Sequence, residues 1–291
     1  MASALSASKG VLRPSSDSGI SLNQELAESH EQESQTDPLV SVIMPAYNSE
    51  KHIAEAVRSV QAQTIENWEL LITDDCSIDS TREIIAAISQ EDSRVKLLSL
   101  EKNGGAAHAR NNSLLFARGR YVAYLDADDY WYPEKLEHQI AFMRMRNAGF
   151  SCSSYEVIDE AGQSLGKTVH MLDECDYVGF LTHNLLQTVG ILVDTEVVDK
   201  NLLIMPDMRR RQDAATWLQV LKAGHTCLGV HDVLCAYRRV EGSLSSNKTK
   251  AALGVWHLYR KVEHLNFLFA SYCFVRYAVL AIWKRVYSPR K

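Results

Sequence analysis

Three carboxylates lie within four residues at the end of a hydrophobic run, in YVAYLDADDY at 121–130. Like charges this close repel one another unless a cation lies among them. Asp126 and Asp128, separated by one residue, offer the hard oxygen ligands that Mg²⁺ and Mn²⁺ take, and these ions keep coordination sites open for phosphate oxygens. An ion held there can act as a Lewis acid on a leaving diphosphate. The spacing therefore predicts a divalent metal site at Asp126 and Asp128.

Two other polar clusters follow hydrophobic runs upstream of this one. The segment PAYN at 45–48 follows the first run, and Asp74 and Asp75 follow the second. Acidic and amide side chains also terminate strands and cap helices for purely structural reasons, and a D-x-D pattern alone is weak evidence. Three such clusters on one edge of a sheet would favour a ligand site over that structural explanation.

The elements that would position these clusters alternate between strand and helix from Leu39 onward. Short apolar runs at 39–44, 69–73, 95–100 and 121–125 predict strands, and helical spacing of apolar residues separates them. This alternation implies right-handed crossovers and a Rossmann-like, mostly parallel α/β sheet with helices on both faces. Ligands of open α/β sheets bind at the carboxyl ends of the strands, so we expect the three clusters on one rim.

The alternation is less regular beyond residue 150. Residues 150–169 predict two strands around a turn, and 188–194 predict a further strand. Residues 212–224 predict a helix that stops at Gly224, and two more strands are expected at 225–230 and 233–238.

Composition excludes several classes of function. The formal charge of −5 over 291 residues argues against broad nucleic-acid binding, which needs a basic surface. The six cysteines contain no C-x-x-C pair, so neither a zinc site nor a disulfide framework is indicated. This cysteine pattern suits a reducing cytoplasm.

Both ends of the chain differ from its middle. Residues 1–37 are rich in Ser, Glu and Gln, contain no aromatic residue and lack the apolar core of a secretory signal, so they predict a disordered tail. Residues 251–291 are apolar and aromatic with basic flanks, which predicts an amphipathic helical tail lying on an anionic membrane surface. A core or dimer helix and a true membrane span are the alternatives for this tail. Arg276 near its middle disfavours a span.

Four segments together resemble glycosyltransferase family 2 in order and spacing. They are VSVIMPAYN, LLITDDCSIDST, KNGGAAHARNNSLLFARGRYVAYLDADD and RQDAATWLQVLKAG. The later part, from residue 205 to about 248, looks most like bacterial members that build teichuronic acid or other surface polysaccharides. The resemblance implies a glycosyltransferase-A fold over residues 38–250, with a nucleotide-binding half at 38–130 and an acceptor half at 131–250.

The resemblance also implies roles for individual residues around a nucleotide-sugar donor. Asp213 would be the catalytic base that deprotonates the acceptor hydroxyl, although a carboxylate there could merely cap a helix. Gln212 stands where Glu is commoner in the family. Pro45, Ala46 and Tyr47 would line the nucleobase pocket. Asp75 would accept from the base, and Arg110 would hold the base or phosphate side. Asp126 would reach the ribose and, with Asp128, ligate the metal, and Asp129 would be an alternate metal ligand.

Several further residues are weaker candidates. Many family members place a His near Val240, and its absence here leaves Arg238, Ser243 and Ser245 as candidate phosphate contacts. The run 209–211, three arginines, could face an anionic acceptor or simply be solvated. His108 and His183 could contact substrate, although isolated histidines are more often structural.

The resulting hypothesis is an inverting, metal-dependent glycosyltransferase that uses Mg²⁺ or Mn²⁺. It would act on a lipid-linked or polysaccharide acceptor at the inner face of the cell membrane, as a cytoplasmic, peripherally bound enzyme. Processive synthases would need Q-x-x-R-W and several membrane spans, and a nicotinamide dehydrogenase would need G-x-G-x-x-G. A sugar nucleotidyltransferase, or an inactive nucleotide-sugar-binding or scaffold protein, remain the alternatives.

Overall fold

The computed structural model describes residues 37–183, 186–239 and 248–287, without the side chains of 248–250 and 281–287. The predicted disordered tail, apart from Asp37, and the candidates Ser243 and Ser245 lie outside the described residues. Residues Pro38–Lys291 form one compact unit.

The first half of this unit alternates strand and helix as the sequence predicts. The strands are β1 Val40–Ala46, β2 Trp68–Asp74, β3 Val95–Ser99 and β4 Tyr121–Tyr124, and the helices are α1 Ile53–Gln61, α2 Thr81–Glu91 and α3 Ala106–Phe116. All neighbouring pairs in the order β3-β2-β1-β4 are parallel, and Val42 lies beside Leu70 on one side and Ala123 on the other. The carboxyl ends of β1, β2 and β4 therefore share one edge of the sheet.

The second half makes the sheet mixed. It contains β5 Tyr130–Trp131, α4 Lys135–Arg146, β6 Phe150–Ile158, β7 Ser164–Val169, β8 Glu174–Cys175, α5 Tyr177–His183, β9 Ile191–Asp194, α6 Gln212–Lys222 and β10 Cys227–Arg238. Strand β9 is antiparallel to both β4 and β6, whereas β6 and β10 are parallel, so the sheet is mixed beyond β4. The two strands expected at 225–230 and 233–238 are one strand, β10, with register shifts between Val230 and Val233 and between Val233 and Cys235.

The core lies on both faces of the sheet because side chains alternate along each strand. On one face, Val42 and Met44 pack with α1 and α4, through residues such as Ile53. On the other face, Ile43 packs with α3 and α6, and Trp217 of α6 is fully buried there. Helices on both faces hold the strand ends rigidly, which is what a site on the rim requires.

The C-terminal segment packs against the domain. It comprises α7 Lys248–His257, a π-helical turn at Leu258–Val262 and α8 Phe267–Tyr287. Val255, Leu258, Tyr259, Ala270 and Cys273 are buried in the same cluster as α6. Deletion of the whole segment would therefore remove part of the core.

The opposite face of α8 is apolar and exposed. Leu268, Tyr272, Val275 and Val279 lie at helical spacing and are each more than half exposed, and we call these four residues the α8 stripe. Among the residues that the structure describes, no helix combines the length and apolarity needed to cross a membrane.

Candidate active site

A cleft of about 1000 Å³ lies at the carboxyl ends of β1, β2 and β4. Its walls include every cluster singled out in the sequence: 45–48 after β1, Asp75 after β2, Arg110 of α3, 126–128 after β4, and Asp213 of α6. The topology explains the first three, because parallel strands end on the same side. Asp213 belongs to α6 and lies almost 90 residues beyond Asp126 in the chain.

The loop after β1 is locked to the loop after β2. Asn48 adopts a left-handed conformation with φ of 48°, which asparagine tolerates better than most residues. Its backbone N–H donates to Ser77 Oγ at 2.9 Å, and its Oδ1 accepts from the Ile78 N–H at 2.9 Å. The half-exposed Tyr47 is thereby left pointing along the cleft wall, as an aromatic surface next to two fixed loops.

Asp75 is fixed by the turn that precedes α3. Its Oδ1 and Oδ2 accept from the N–H groups of Gly104 and Gly105 at 2.6 and 2.7 Å. Gly105 has φ of 84°, a conformation that side chains with a Cβ rarely adopt, so glycine is required at that position. Each carboxylate oxygen retains a second lone pair that can accept a further hydrogen bond from a ligand.

Arg110 of α3 connects the cleft wall to the acidic cluster. It is buried and its Nη2 donates to Asp126 Oδ1. Burial lowers the pKa of Arg110, but the charges of Asp126 and then Asp213 outweigh that effect, so the net pKa is raised. Asp126 and Asp213 thus act on the same guanidinium, which places the predicted base near the D-x-D segment.

The remaining carboxylates of the D-x-D segment are held in an unfavourable environment. Burial, followed by the charge of Asp126, raises the pKa of Asp128 to about 6. Burial and the charges of Asp128 and Asp126 raise the pKa of Asp129 well above its usual range. Asp129 does not line the cleft, and its Oδ2 is buried with no partner among the described residues. A cation beside Asp128 and Asp126 would attract both carboxylates and so offset their mutual repulsion.

Arg238 holds this segment from beneath and is not a phosphate contact. Its side chain is only 1% exposed. Its Nε donates to the Asp128 carbonyl at 2.7 Å, and its backbone N–H donates to Asp129 Oδ1 at 2.7 Å. Nη2 donates to Glu55 Oε2 at 2.6 Å. The expectation that Arg238 contacts phosphate is therefore wrong, because its donors are already used to position the acidic loop.

The residues present fit a divalent ion shared with a ligand. Within the described parts of the chain, no group of three His, Cys, Asp or Glu side chains is arranged to hold a metal. Mg²⁺ and Mn²⁺ are commonly bound through one or two carboxylates, with substrate phosphates and water completing the coordination. Asp128 and Asp126 provide that number of oxygen ligands on the cleft wall.

Asp213 lies in the first turn of α6 and does not cap it. The N-cap residue is Arg211, which has φ of 63° and makes no side-chain capping hydrogen bond. Thr188 Oγ1 donates to Asp213 Oδ2 at 3.4 Å, which orients the carboxylate across the cleft. The rest of its oxygen lone pairs face the space where a substrate would lie.

A further part of the cleft wall combines the arginine run, already a candidate from the sequence, with C-terminal residues that no sequence motif marks. It is built by the three arginines 209–211 and by residues of the C-terminal helices, namely Ala251, Ala252, Gly254, Tyr277 and Ala278. Arg211 Nη2 donates to Tyr277 Oη at 3.4 Å, which ties the loop before α6 to α8. No local sequence signal marks Tyr277, because its role depends on how α8 folds back onto the domain.

The two histidine candidates lie apart from the cleft. His108 Nε2 is 3.5 Å from Asp207 Oδ1 at the surface, and His183 is the last residue of α5. Neither side chain is among the described residues that line the cleft.

Comparison with known proteins gives a consistent family. The model described as Glycosyl transferase family 2 matches residues 41–194. The chain is 43% identical over 249 residues to a putative teichuronic acid biosynthesis glycosyltransferase, TuaG, of Bacillus subtilis strain 168, covering 86% of this chain and 98% of the relative. It is 38% identical over 256 residues to WfgD of Escherichia coli, a UDP-Glc:alpha-D-GlcNAc-diphosphoundecaprenol beta-1,3-glucosyltransferase, covering 87% and 97%.

Solved structures share the fold. S. aureus TarS 1–349 in complex with UDP-GlcNAc aligns with a TM-score of 0.65 at 23% identity, covering 86% of this chain and 73% of that one. The mannosyltransferase PcManGT of Pyrobaculum calidifontis, in complex with GDP-Man and Mn²⁺, aligns with a TM-score of 0.60 at 17% identity, covering 87% and 77%.

Proposed function

The chain belongs to glycosyl transferase family 2, and from that premise we propose that it transfers a sugar with inversion from a nucleotide diphosphate sugar to a lipid-linked glycan in bacterial surface-polysaccharide synthesis. The observation that carries the proposal is the convergence, in one cleft, of carboxylates from three distant places in the chain: Asp75, the segment 126–128, and Asp213.

The donor side of the cleft is suited to a nucleoside diphosphate. Pro45, Ala46 and Tyr47 would flank the nucleobase, and Asp75 would accept from a ring N–H with the lone pairs that Gly104 and Gly105 leave free. Asp126, oriented by Arg110, would accept from a ribose hydroxyl. A UDP-sugar is the proposed donor, since UDP-Glc is in the name of the E. coli relative and UDP-GlcNAc is bound in the TarS complex.

The diphosphate would lie against Asp128 and Asp126 with Mg²⁺ or Mn²⁺ shared between protein and ligand. Bound there, the ion would stabilise the negative charge that develops on the departing nucleoside diphosphate. Arg238 holds the loop that carries Asp128, and Arg110 holds Asp126. Arg110 also lines the cleft and would hold the base or phosphate side of the donor. Asp213 would take the proton from the acceptor hydroxyl as that oxygen attacks the anomeric carbon from the face opposite the leaving group, so a single displacement inverts the configuration.

The proposed partners at the acceptor side are a lipid-linked or polysaccharide glycan and the anionic inner surface of the cell membrane. A diphosphoundecaprenol acceptor in the name of the E. coli relative supports the first. The exposed α8 stripe, on a helix whose other face is packed into the domain, supports the second. A helix with an apolar outer face can lie in the headgroup region without spanning the bilayer.

A thermal-shift series tests the proposed donor. We expect UDP-sugars with Mn²⁺ to raise the melting temperature, because a donor at about 100 times its Kd adds roughly 2.7 kcal/mol to the free energy of unfolding. Without Mn²⁺ the shift should be much smaller, since the diphosphate would then face uncompensated carboxylates. GDP-mannose is the control for base selectivity. The active enzyme should release UDP and not inorganic diphosphate; release of diphosphate, or no Mn²⁺-dependent shift with any nucleotide sugar, would overturn the proposal.

Substitutions on the α8 stripe test the membrane surface. The double variant Leu268→Gln/Val275→Gln should bind anionic liposomes at least about tenfold more weakly, because each fully buried side chain of this size contributes about 1.5–3 kcal/mol. Leu115→Gln/Met145→Gln is the matched control, since these residues are also exposed but lie on α3 and α4. High salt should weaken binding only partly, as it screens charge and not burial. Equal flotation of both variants with liposomes, or loss of a dimer in sedimentation, would argue against a lipid partner.

A further inference from the structure

We propose that Arg209, Arg210 and Arg211 form a binding site for the diphosphate group of a lipid-diphosphate sugar acceptor. This inference rests on the proposed function and names the part of the acceptor that the far wall of the cleft recognises. Guanidinium groups suit the task because they remain charged and offer forked donors that match phosphate oxygens.

The three arginines lie beside the proposed base and next to the helix that carries the proposed membrane surface. All of them line the cleft, and Arg211 is two residues before Asp213. Arg211 Nη2 donates to Tyr277 Oη at 3.4 Å, so the arginine loop touches α8 directly. Two residues before Tyr277 is Val275, a member of the exposed α8 stripe. The loop therefore connects the reaction site to the inner face of α8, and the α8 stripe lies on the outer face of the same helix.

The groups gathered at this part of the protein match the parts of a lipid-diphosphate sugar. Such an acceptor presents, in sequence, an attacking hydroxyl, its sugar ring, two phosphates and a hydrocarbon chain. The cleft presents the Asp213 carboxylate and three guanidinium groups, and it is also lined by Tyr277 and Ala278 of α8, the helix whose outer face carries the α8 stripe. A phosphate group buried in the cleft without a cation would be costly, and the arginines provide the required charge.

We assign the arginines to the acceptor and not to the donor diphosphate, because they lie beside the proposed base. In an inverting displacement the attacking hydroxyl and the leaving diphosphate lie on opposite faces of the transferred sugar, so groups next to the base face the acceptor. Arg211 is in the same helix start as Asp213, whereas the donor diphosphate is assigned to Asp128 and Asp126 after β4. The proposal therefore assigns the two diphosphate groups to different residues, the donor's to Asp128 and Asp126 and the acceptor's to the arginines.

Gln212 gives independent support for a polar ligand beside the arginines. It lines the cleft, it is about nine-tenths buried, and its Oε1 has no hydrogen-bond partner among the described residues. A buried carbonyl oxygen without a partner carries a free-energy cost that a sugar hydroxyl could remove. Gln212 lies between Arg211 and Asp213, where the sugar ring of the acceptor would be.

A comparison of two acceptors tests the site. One is GlcNAc linked through diphosphate to a farnesyl chain, and the other is the same sugar as a neutral alkyl glycoside. In the full chain, Arg209→Gln/Arg210→Gln should lower the preference for the diphosphate acceptor, expressed as the ratio of kcat/KM values, by at least about tenfold. Arg209→Lys/Arg210→Lys should recover part of it, because the positive charges are retained. Arg144→Gln, at an exposed arginine of α4, is the matched control and should keep the ratio.

A binding measurement separates failure of this inference from failure of the proposed function. With UDP and Mn²⁺ at saturation to fill the donor position, farnesyl diphosphate should bind the wild-type chain and bind Arg209→Gln/Arg210→Gln at least about tenfold more weakly by calorimetry. If UDP binds but farnesyl diphosphate binds both chains equally, or if the kinetic loss is the same for the neutral acceptor, the arginines do not recognise diphosphate. If UDP with Mn²⁺ does not bind the wild-type chain, the proposed function fails and this inference fails with it.

Discussion

Asp213→Asn is expected to lower turnover by roughly 10²–10⁴-fold, the contribution of a positioned general base. The substitution keeps the size and shape of the side chain but removes its ability to take the proton of the acceptor hydroxyl. Thr188 Oγ1 can still donate to the remaining carbonyl oxygen, so the local structure should persist. Loss of the base acts on the transition state and should appear in kcat with little change in the KM for donor.

The measurement is steady-state release of UDP with acceptor present, together with donor affinity by calorimetry. Asp207→Asn is the matched control, because Asp207 lies in the loop before α6 but is exposed at the surface, where it pairs with His108. We expect that control to keep wild-type turnover. A loss of less than about tenfold in Asp213→Asn would mean that another group takes the proton. An equal loss of donor affinity would mean that Asp213 belongs to the donor side.

The donor side of the cleft could be predicted from the sequence because its determinants are local. Each of the segments 45–48, 74–75 and 126–128 follows an apolar run, and parallel strands with helical crossovers must end on the same edge. The order β3-β2-β1-β4 delivers them to one cleft, as predicted. The local sequence pattern and the topology of the sheet agree there, so short segments of the sequence are sufficient to predict this part of the site.

The rest of the site depends on contacts between distant parts of the chain, which leave no periodic signal. Arg238 reaches the D-x-D loop from the end of β10, and its backbone N–H bonds Asp129 across 109 residues of sequence. An arginine near a run of serines resembles a phosphate contact until its burial is known. Tyr277 is similar: its apolar surroundings indicated a membrane helix, whereas one face of α8 packs into the domain and lines the cleft. Strand β9 is another case, because nothing in its short apolar run distinguishes an antiparallel direction.

Asp128→Ala should nearly abolish Mn²⁺-dependent donor binding, with a loss of at least about a hundredfold. Losing a group that merely supports a metal ligand costs up to that amount, and Asp128 is proposed to be a ligand itself. The same substitution should leave the melting temperature of the ligand-free protein unchanged or raise it. Burial and the charge of Asp126 raise the pKa of Asp128 to about 6, so at pH 7 its ionised form is less favourable in the folded than in the unfolded state.

These two effects of opposite sign make the assignment testable without an activity assay. A residue that only stabilised the fold would lower the melting temperature when removed, and would weaken nucleotide binding with and without Mn²⁺ alike. A metal ligand should instead lose only the Mn²⁺-dependent part of donor affinity, measured by calorimetry with UDP at several Mn²⁺ concentrations. Asp232→Ala, at an exposed carboxylate beside His138, is the control for loss of one negative charge. Undiminished Mn²⁺-dependent binding in Asp128→Ala would show that Asp128 is not a metal ligand.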